Sequence, residues 1–137
     1  MAMNSACARG DMSMLRGWVG QGVRVVYPEP LCYATTHEKV DVMHILVKEL
    51  GADVNQEHDG LITPLLIAVL GDQLDMMRIL VKELGADVNL ANADGRTPTF
   101  AAAENGNLAA LRYLVQELGA DICLALFDIN LDARPCL

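Results

Sequence analysis

Three histidines, four cysteines and a recurring glutamate are the side chains of this 137-residue chain with the strongest intrinsic chemistry. His37, His44 and His58 could hold a metal or move a proton, but no HExxH or related spacing joins them. They read as exposed or turn histidines. Cys7, Cys32, Cys123 and Cys136 show neither a CxxC pair nor a disulfide framework, and no histidine stands predictably beside any of them to activate a thiol. They read as free thiols in a reducing compartment, the cytoplasm or the nucleus. Gly17-Trp18-Val19-Gly20-Gln21-Gly22 lacks the preceding strand and following helix of a phosphate-binding loop, so it reads as a helix stop. Glu49, Glu83 and Glu117 recur at a fixed interval, which in a repeating chain describes a solvated face. These patterns predict no catalytic residue, no cofactor and no metal.

Bulk properties narrow the partners. Eighteen acidic against ten basic residues leave a net charge of −8, which repels phosphate backbones and anionic membranes. No nucleic-acid or membrane partner is therefore expected. The composition is 53 % hydrophobic but only 4 % aromatic, rich in Ala, Leu and Val, as short helices in close contact require. The longest uncharged apolar run, residues 61–71, is too short to span a bilayer and contains Pro64. Met1-Ala2-Met3-Asn4 has no basic stretch leading into an apolar core, so no signal peptide is expected. Cys136 stands in the wrong place for prenylation.

The elements that must position these residues come from a repeated phrase. Val47-Lys48-Glu49-Leu50-Gly51-Ala52-Asp53-Val54-Asn55 returns unchanged at 81–89 and, altered, at 115–123. Its glycines at 51, 85 and 119 set a period of 34 residues, the mark of stacked supersecondary units. The unit is clearest in its last copy. Asp94-Gly95-Arg96 is a turn, in which Gly95 accepts positive φ and Asp94 caps its own turn. Thr97 as N-cap and Pro98 at the first helical position start a short Ala-rich helix through Asn105, and Gly106 stops it in the left-handed conformation. A second helix runs from about Leu108 to Leu118, with Leu108, Leu111, Leu114, Val115 and Leu118 as its apolar face. The corresponding stripes are Leu74, Met77, Leu80, Val81, Leu84 and Val40, Met43, Leu46, Val47, Leu50, with Met43, Met76 and Met77 as packing residues. Ala8 to Met12 resembles Glu104 to Leu108, so a fourth, shortened unit opens the chain.

Asp94-Gly95-x-Thr97-Pro98, Ala101-Ala102, Gly106 and the recurring Gly-Ala-Asp-Val-Asn resemble ankyrin repeats over about residues 5 to 128. The period alone also suits tetratricopeptide repeats, but their Trp, Tyr, Phe and Pro landmarks are absent. The resemblance implies an all-α fold, an ankyrin-repeat solenoid of stacked antiparallel helix pairs with β-turn or hairpin-type loops. The units fall at about 4–25, 26–58, 59–92 and 93–126, with a tail at 127–137, all in one domain. Several departures stand out. Family units run to 33 residues, so one extra residue lies in or just after the second helix. The position after Thr-Pro-Leu, usually His, is Cys32, Leu66 and Phe100, so a polar network between units is missing and a looser register is expected. Glu29 replaces Thr. The turn at 56–62 sets its Asp-Gly one residue further from Thr63, so a longer or bulged loop is expected there. The apolar strip Ile122 to Phe127 leaves the end of the stack uncapped, which suggests a chain cut from a longer repeat protein or a strip folded over the last helix pair.

The resemblance also implies a partner protein bound at the turn tips and first helices. Carried over position by position, that surface is Tyr27, Thr36, His37, His58, Asp59, Ile62, Leu70, Asp94, Arg96, Glu104 and Asn105. Ile62 and Leu70 are either partner anchors or contacts between units. Asp59, Asp94 and Glu104 favour a partner with a basic patch. The expected function is a non-enzymatic adaptor or inhibitor. The chain is expected to be monomeric or weakly self-associating through its apolar C-terminal strip; the alternatives are an assembly element or a fragment of a larger ankyrin scaffold, and third an enzyme or metal-binding protein.

Overall fold

Proline, threonine and alanine at fixed places start, cap and space the helices. The computed structural model describes residues 2–121. Thr63 and Thr97 sit in extended backbone, and their hydroxyl oxygens each accept from a backbone N–H three residues on, Leu66 and Phe100, at 3.2 Å. Pro64 and Pro98 occupy the first turns behind them. Four helix pairs follow in order: α1 (Ala2–Arg9) and α2 (Met12–Gly20), α3 (Glu29–Thr36) and α4 (Val40–Lys48), α5 (Pro64–Leu70) and α6 (Leu74–Arg78), α7 (Pro98–Glu104) and α8 (Leu108–Gln116). The fold is all-α with hairpin-type turns, as expected. Helices α1, α3, α5 and α7 pack side by side as an inner row, and each lies against its own outer helix.

The inner row is spaced by alanine. Ala6, Ala34, Ala68 and Ala102 are fully buried, one per inner helix. Their carbonyls accept the N–H groups of Asp11, Lys39, Gln73 and Asn107 at 2.8–2.9 Å, closing each helix with the six-to-one bond of a Schellman turn. The left-handed residue of that turn is glycine in the outer units (Gly10, Gly106), but Glu38 and Asp72, both at φ +55°, in the two central ones. Central turns therefore hold a conformation costing roughly 1–2 kcal/mol per residue for an ordinary side chain.

The extra residue of the 34-residue period lies in the last turn of the outer helix. At Ile79–Glu83 the backbone becomes π-helical. Leu50, Leu84 and Leu118 donate to carbonyls five residues back, and Ala52, Ala86 and Ala120 to carbonyls six back. The first outer helix ends conventionally, with Val23 N–H on Trp18 O at 3.0 Å. One added residue is thus absorbed as a wider turn without rotating the glycine stop that follows.

Four expectations need correction. The buried face of the outer helices keeps most of the expected stripe, from Met43, Leu46 and Leu50 to Leu114 and Leu118, but Val42 and Ala110 join it, while the stripe's first residues lie at its edge, Val40 and Leu74 half-buried and Leu108 66 % exposed. Each outer helix packs on its inner partner and on outer neighbours, and Leu108 stands in the first turn of the last described pair. The loop around Gly60 is not longer. A β-bridge closes at His58–Ile62, and 34 residues on Asn92 N–H donates to Arg96 O at 2.9 Å; what differs is the turn, with positive φ at Asp59 and Gly60 in one and at Gly95 in the other. Asn92, not Asp94, caps the second turn, its Oδ1 accepting from the Asp94 and Arg96 N–H groups at 3.0 Å. Finally, polar links between units are present from other residues. Asn55 Oδ1 accepts from Asp87 N–H at 2.8 Å and Asn89 Oδ1 from Asp121 N–H at 2.7 Å, while Asn107 Nδ2 donates to Val69 O at 3.0 Å. Cys123, which takes the place of that Asn in the last copy, the strip Ile122 to Phe127 and the 127–137 tail lie outside the described residues.

Ala68→Leu is expected to lower unfolding free energy in urea by about 1–3 kcal/mol with helix content retained, because the inner row cannot widen locally. The same change at exposed Ala109 is expected to stay within about 0.5 kcal/mol. Helix α3 starts one residue earlier in its column than the helices that follow, with Pro28 as its N-cap and Glu29 already helical, so it has no side-chain cap. Glu29→Thr is therefore expected to lower stability in urea by about 0.3–1 kcal/mol, a favourable first-turn charge and helix propensity lost with no cap gained.

Candidate interaction groove

The inner row and the hairpin tips place most of the sequence-derived surface residues along one groove. Two cavities lie side by side in it. One, of about 170 Å³, has Leu66 and Ala101 in its floor and Leu61, Ile62, Leu70, Asn92, Asp94, Arg96, Glu104 and Asn105 around it. The other, of about 200 Å³, is lined by Glu29, Cys32, Tyr33, Thr36, His58, Ile62 and Ile67. Ile62 belongs to both and forms the ridge between them. Thr36, His58, Ile62, Leu70, Asp94, Arg96, Glu104 and Asn105 are therefore brought together.

Three expected residues are placed elsewhere. The Tyr27 hydroxyl donates to Met3 Sδ at 3.9 Å, which commits it toward α1. His37 ends α3, with Nδ1 2.9 Å from Tyr33 O. Asp59 stands at the exposed hairpin tip with its carboxylate 3.4 Å from His58 Nε2.

Sequence reading missed Tyr33 and Ile67. Tyr33 is 44 % exposed and Leu70 47 %, so both present apolar surface to the groove. The signal was available: Tyr33, Ile67 and Ala101 form a 34-residue column three positions before Thr36, Leu70 and Glu104, and residues three apart share a helix face. The groove varies along that column from aromatic to branched to methyl.

Its charge is acidic but partly compensated. Arg96 lies 3.4 Å from Glu104 and its guanidinium sits 5.8 Å above the Phe100 ring. Glu29 Oε1 is 3.8 Å from His58 Nδ1, and Glu29 Oε2 is buried without a hydrogen-bond partner. On the outer helices, the glutamate recurrence has a partner as well as solvent: Glu83 meets His44 Nε2 at 3.0 Å across the unit boundary and Arg78 at 3.1 Å within its own.

Among the described residues no three His, Cys, Asp or Glu side chains converge as a metal site would, and no helix is long and apolar enough to cross a membrane. Burial pushes the Cys7 thiol up to about 11; burial, then the Glu29 charge, does the same for Cys32. Both thiols stay protonated at neutral pH, the wrong state for a nucleophile. Because the native thiols hold their protons more tightly than unfolded ones, their contribution to stability is full below pH 9 and lost as pH rises toward 11. At pH 8, iodoacetamide is expected to label Cys32 about a hundredfold more slowly in the native protein than in urea. Site-resolved mass spectrometry measures this; equal rates would show the thiol to be open.

The family model for ankyrin repeats, in three copies, matches residues 31–125. No curated protein matches the chain.

Proposed function

The chain belongs to the ankyrin-repeat family, whose members are generally protein–protein interaction modules and typically not enzymes, and on that premise we propose that it is a non-catalytic adaptor or inhibitor that binds a partner protein along its groove. The observation that carries this reading is the pair of adjoining cavities sharing Ile62. Exposed Tyr33 and Leu70 supply apolar contact, and carboxylates line the rim. An apolar floor with a polar rim is the arrangement in which a few buried anchors carry most of an interface. Asp59, Asp94 and Glu104 on the tips and rim favour a partner whose facing surface is basic, in keeping with the net charge of −8. The two buried free thiols, Cys7 and Cys32, support a reducing compartment, cytoplasmic or nuclear, as its place of action.

Ile62→Asp and Leu70→Asp test the groove. Each is expected to weaken binding of the partner, once captured from the source cell, by at least tenfold, as the loss of a central anchor would (about 1.4 kcal/mol or more). The fold is expected to persist, since Ile62 is only half-buried and Leu70 is exposed. Unchanged affinity in folded variants would remove the groove from the reading.

A further inference from the structure

Glu29 is the residue the scaffold does not account for. Its column holds Thr63 and Thr97, whose hydroxyls cap their helices; Glu29 caps nothing. Its Oε2 is buried without a donor, and the single contact of Oε1 among the described residues, His58 Nδ1 at 3.8 Å, is beyond hydrogen-bond length. The Glu29 side chain keeps 36 % of its surface open, and its place at the wall of an open cavity lets a donor from outside reach the oxygen that no internal donor meets. The rest of the cavity suits a long, charge-tipped side chain. Ile62, Ile67 and Cys32 provide apolar surface, and Tyr33, one helical turn after Glu29, provides an aromatic ring.

The chain meets the same need itself two units further on. There Arg96 lies beside Glu104 and over Phe100, so carboxylate, cation and aromatic ring are all internal. At Glu29 and Tyr33 the carboxylate and the ring are present and the cation is not. We propose that the cavity between α3 and α5 receives a lysine or arginine side chain of the partner, its charge met by Glu29 and its cationic end set on the Tyr33 ring. This rests on the groove being the partner surface. The carboxylate supplies a charge-assisted hydrogen bond, the ring a cation–π contact, and the apolar walls cover the methylene stem. Glu29 is then the residue that selects a cation-bearing partner. The field of Glu29 already reaches this cavity, since it contributes to holding the Cys32 thiol protonated.

The test is a selection of random twelve-residue displayed peptides on the full chain, followed by a synthetic consensus peptide measured by fluorescence anisotropy. The enriched peptides are expected to share one Lys or Arg beside an apolar residue. Replacing that cation by norleucine, or Glu29 by Gln or Thr, is expected to weaken binding about tenfold or more, and the two changes together no further than either alone. Unchanged helix content and a cooperative urea transition in each Glu29 variant separate loss of binding from loss of fold. Peptides that require Leu70 but share no cation, or that bind the Glu29→Thr protein unchanged, would overturn the cation site and leave the groove standing. Peptides indifferent to Leu70→Asp, or a selection that enriches none, would overturn the groove itself.

Discussion

The constraint on which the molecule depends is the complete burial of one alanine at the same place in every inner helix. Ala6, Ala34, Ala68 and Ala102 have no accessible surface, and their carbonyls also take the bonds that end those helices. Helix spacing and helix termination are thus set at the same residues. With the inner row this close, the outer helices fan away on one side and the hairpin tips stand forward on the other. The groove between tips and inner helices follows from that asymmetry. Close packing of small side chains leaves little tolerance for volume, so the scaffold transmits the position of each unit to the next.

Much of this architecture was legible in the residues because it is local. Thr97-Pro98 names a helix start and Gly106 a helix stop through backbone preferences that need no neighbour. The extra residue of the period could likewise be assigned to the end of the outer helix by counting between Thr63 and Gly85. What escaped was decided between units. The arc of an outer helix that is buried depends on neighbouring helices, so Leu108 looked like core and is exposed. Asn55 and Asn89 looked like the tail of a helix stop, yet their side chains reach the next copy's backbone 32 residues away. The difference between the hairpins at Gly60 and Gly95 lies in which residues take positive φ, and Asp-Gly suits several turn types.

The groove was legible to a lesser degree. Thr36, Leu70, Glu104 and Asn105 could be placed because the repeat carries their position from copy to copy. Tyr33 and Ile67 were overlooked because apolar residues on short helices resemble core until their exposure is known. Glu29 was noticed as a missing threonine; its unpartnered oxygen belongs to the three-dimensional arrangement. The copies agree where they pack and differ along the columns that face the groove. The column of Tyr33, Ile67 and Ala101 and that of Thr36, Leu70 and Glu104 change size and polarity at every step, over a backbone that scarcely changes.

The asparagine rungs bear on how such a stack comes apart. Each joins one unit only to the next, and among the described residues no hydrogen bond or ion pair spans two junctions, so the protein is energetically a line of neighbour-to-neighbour couplings rather than one droplet-like core. The couplings are unequal. Asparagine rungs tie the second pair to the third and the third to the fourth, whereas at the shortened first junction the backbone itself makes the link, Val25 N–H donating to Leu50 O at 2.8 Å beside a long 3.4 Å bond from Gln56 to Val26 O. Loss of one asparagine rung therefore loosens one junction and leaves the others zipped together, the first pair staying on its own backbone bond.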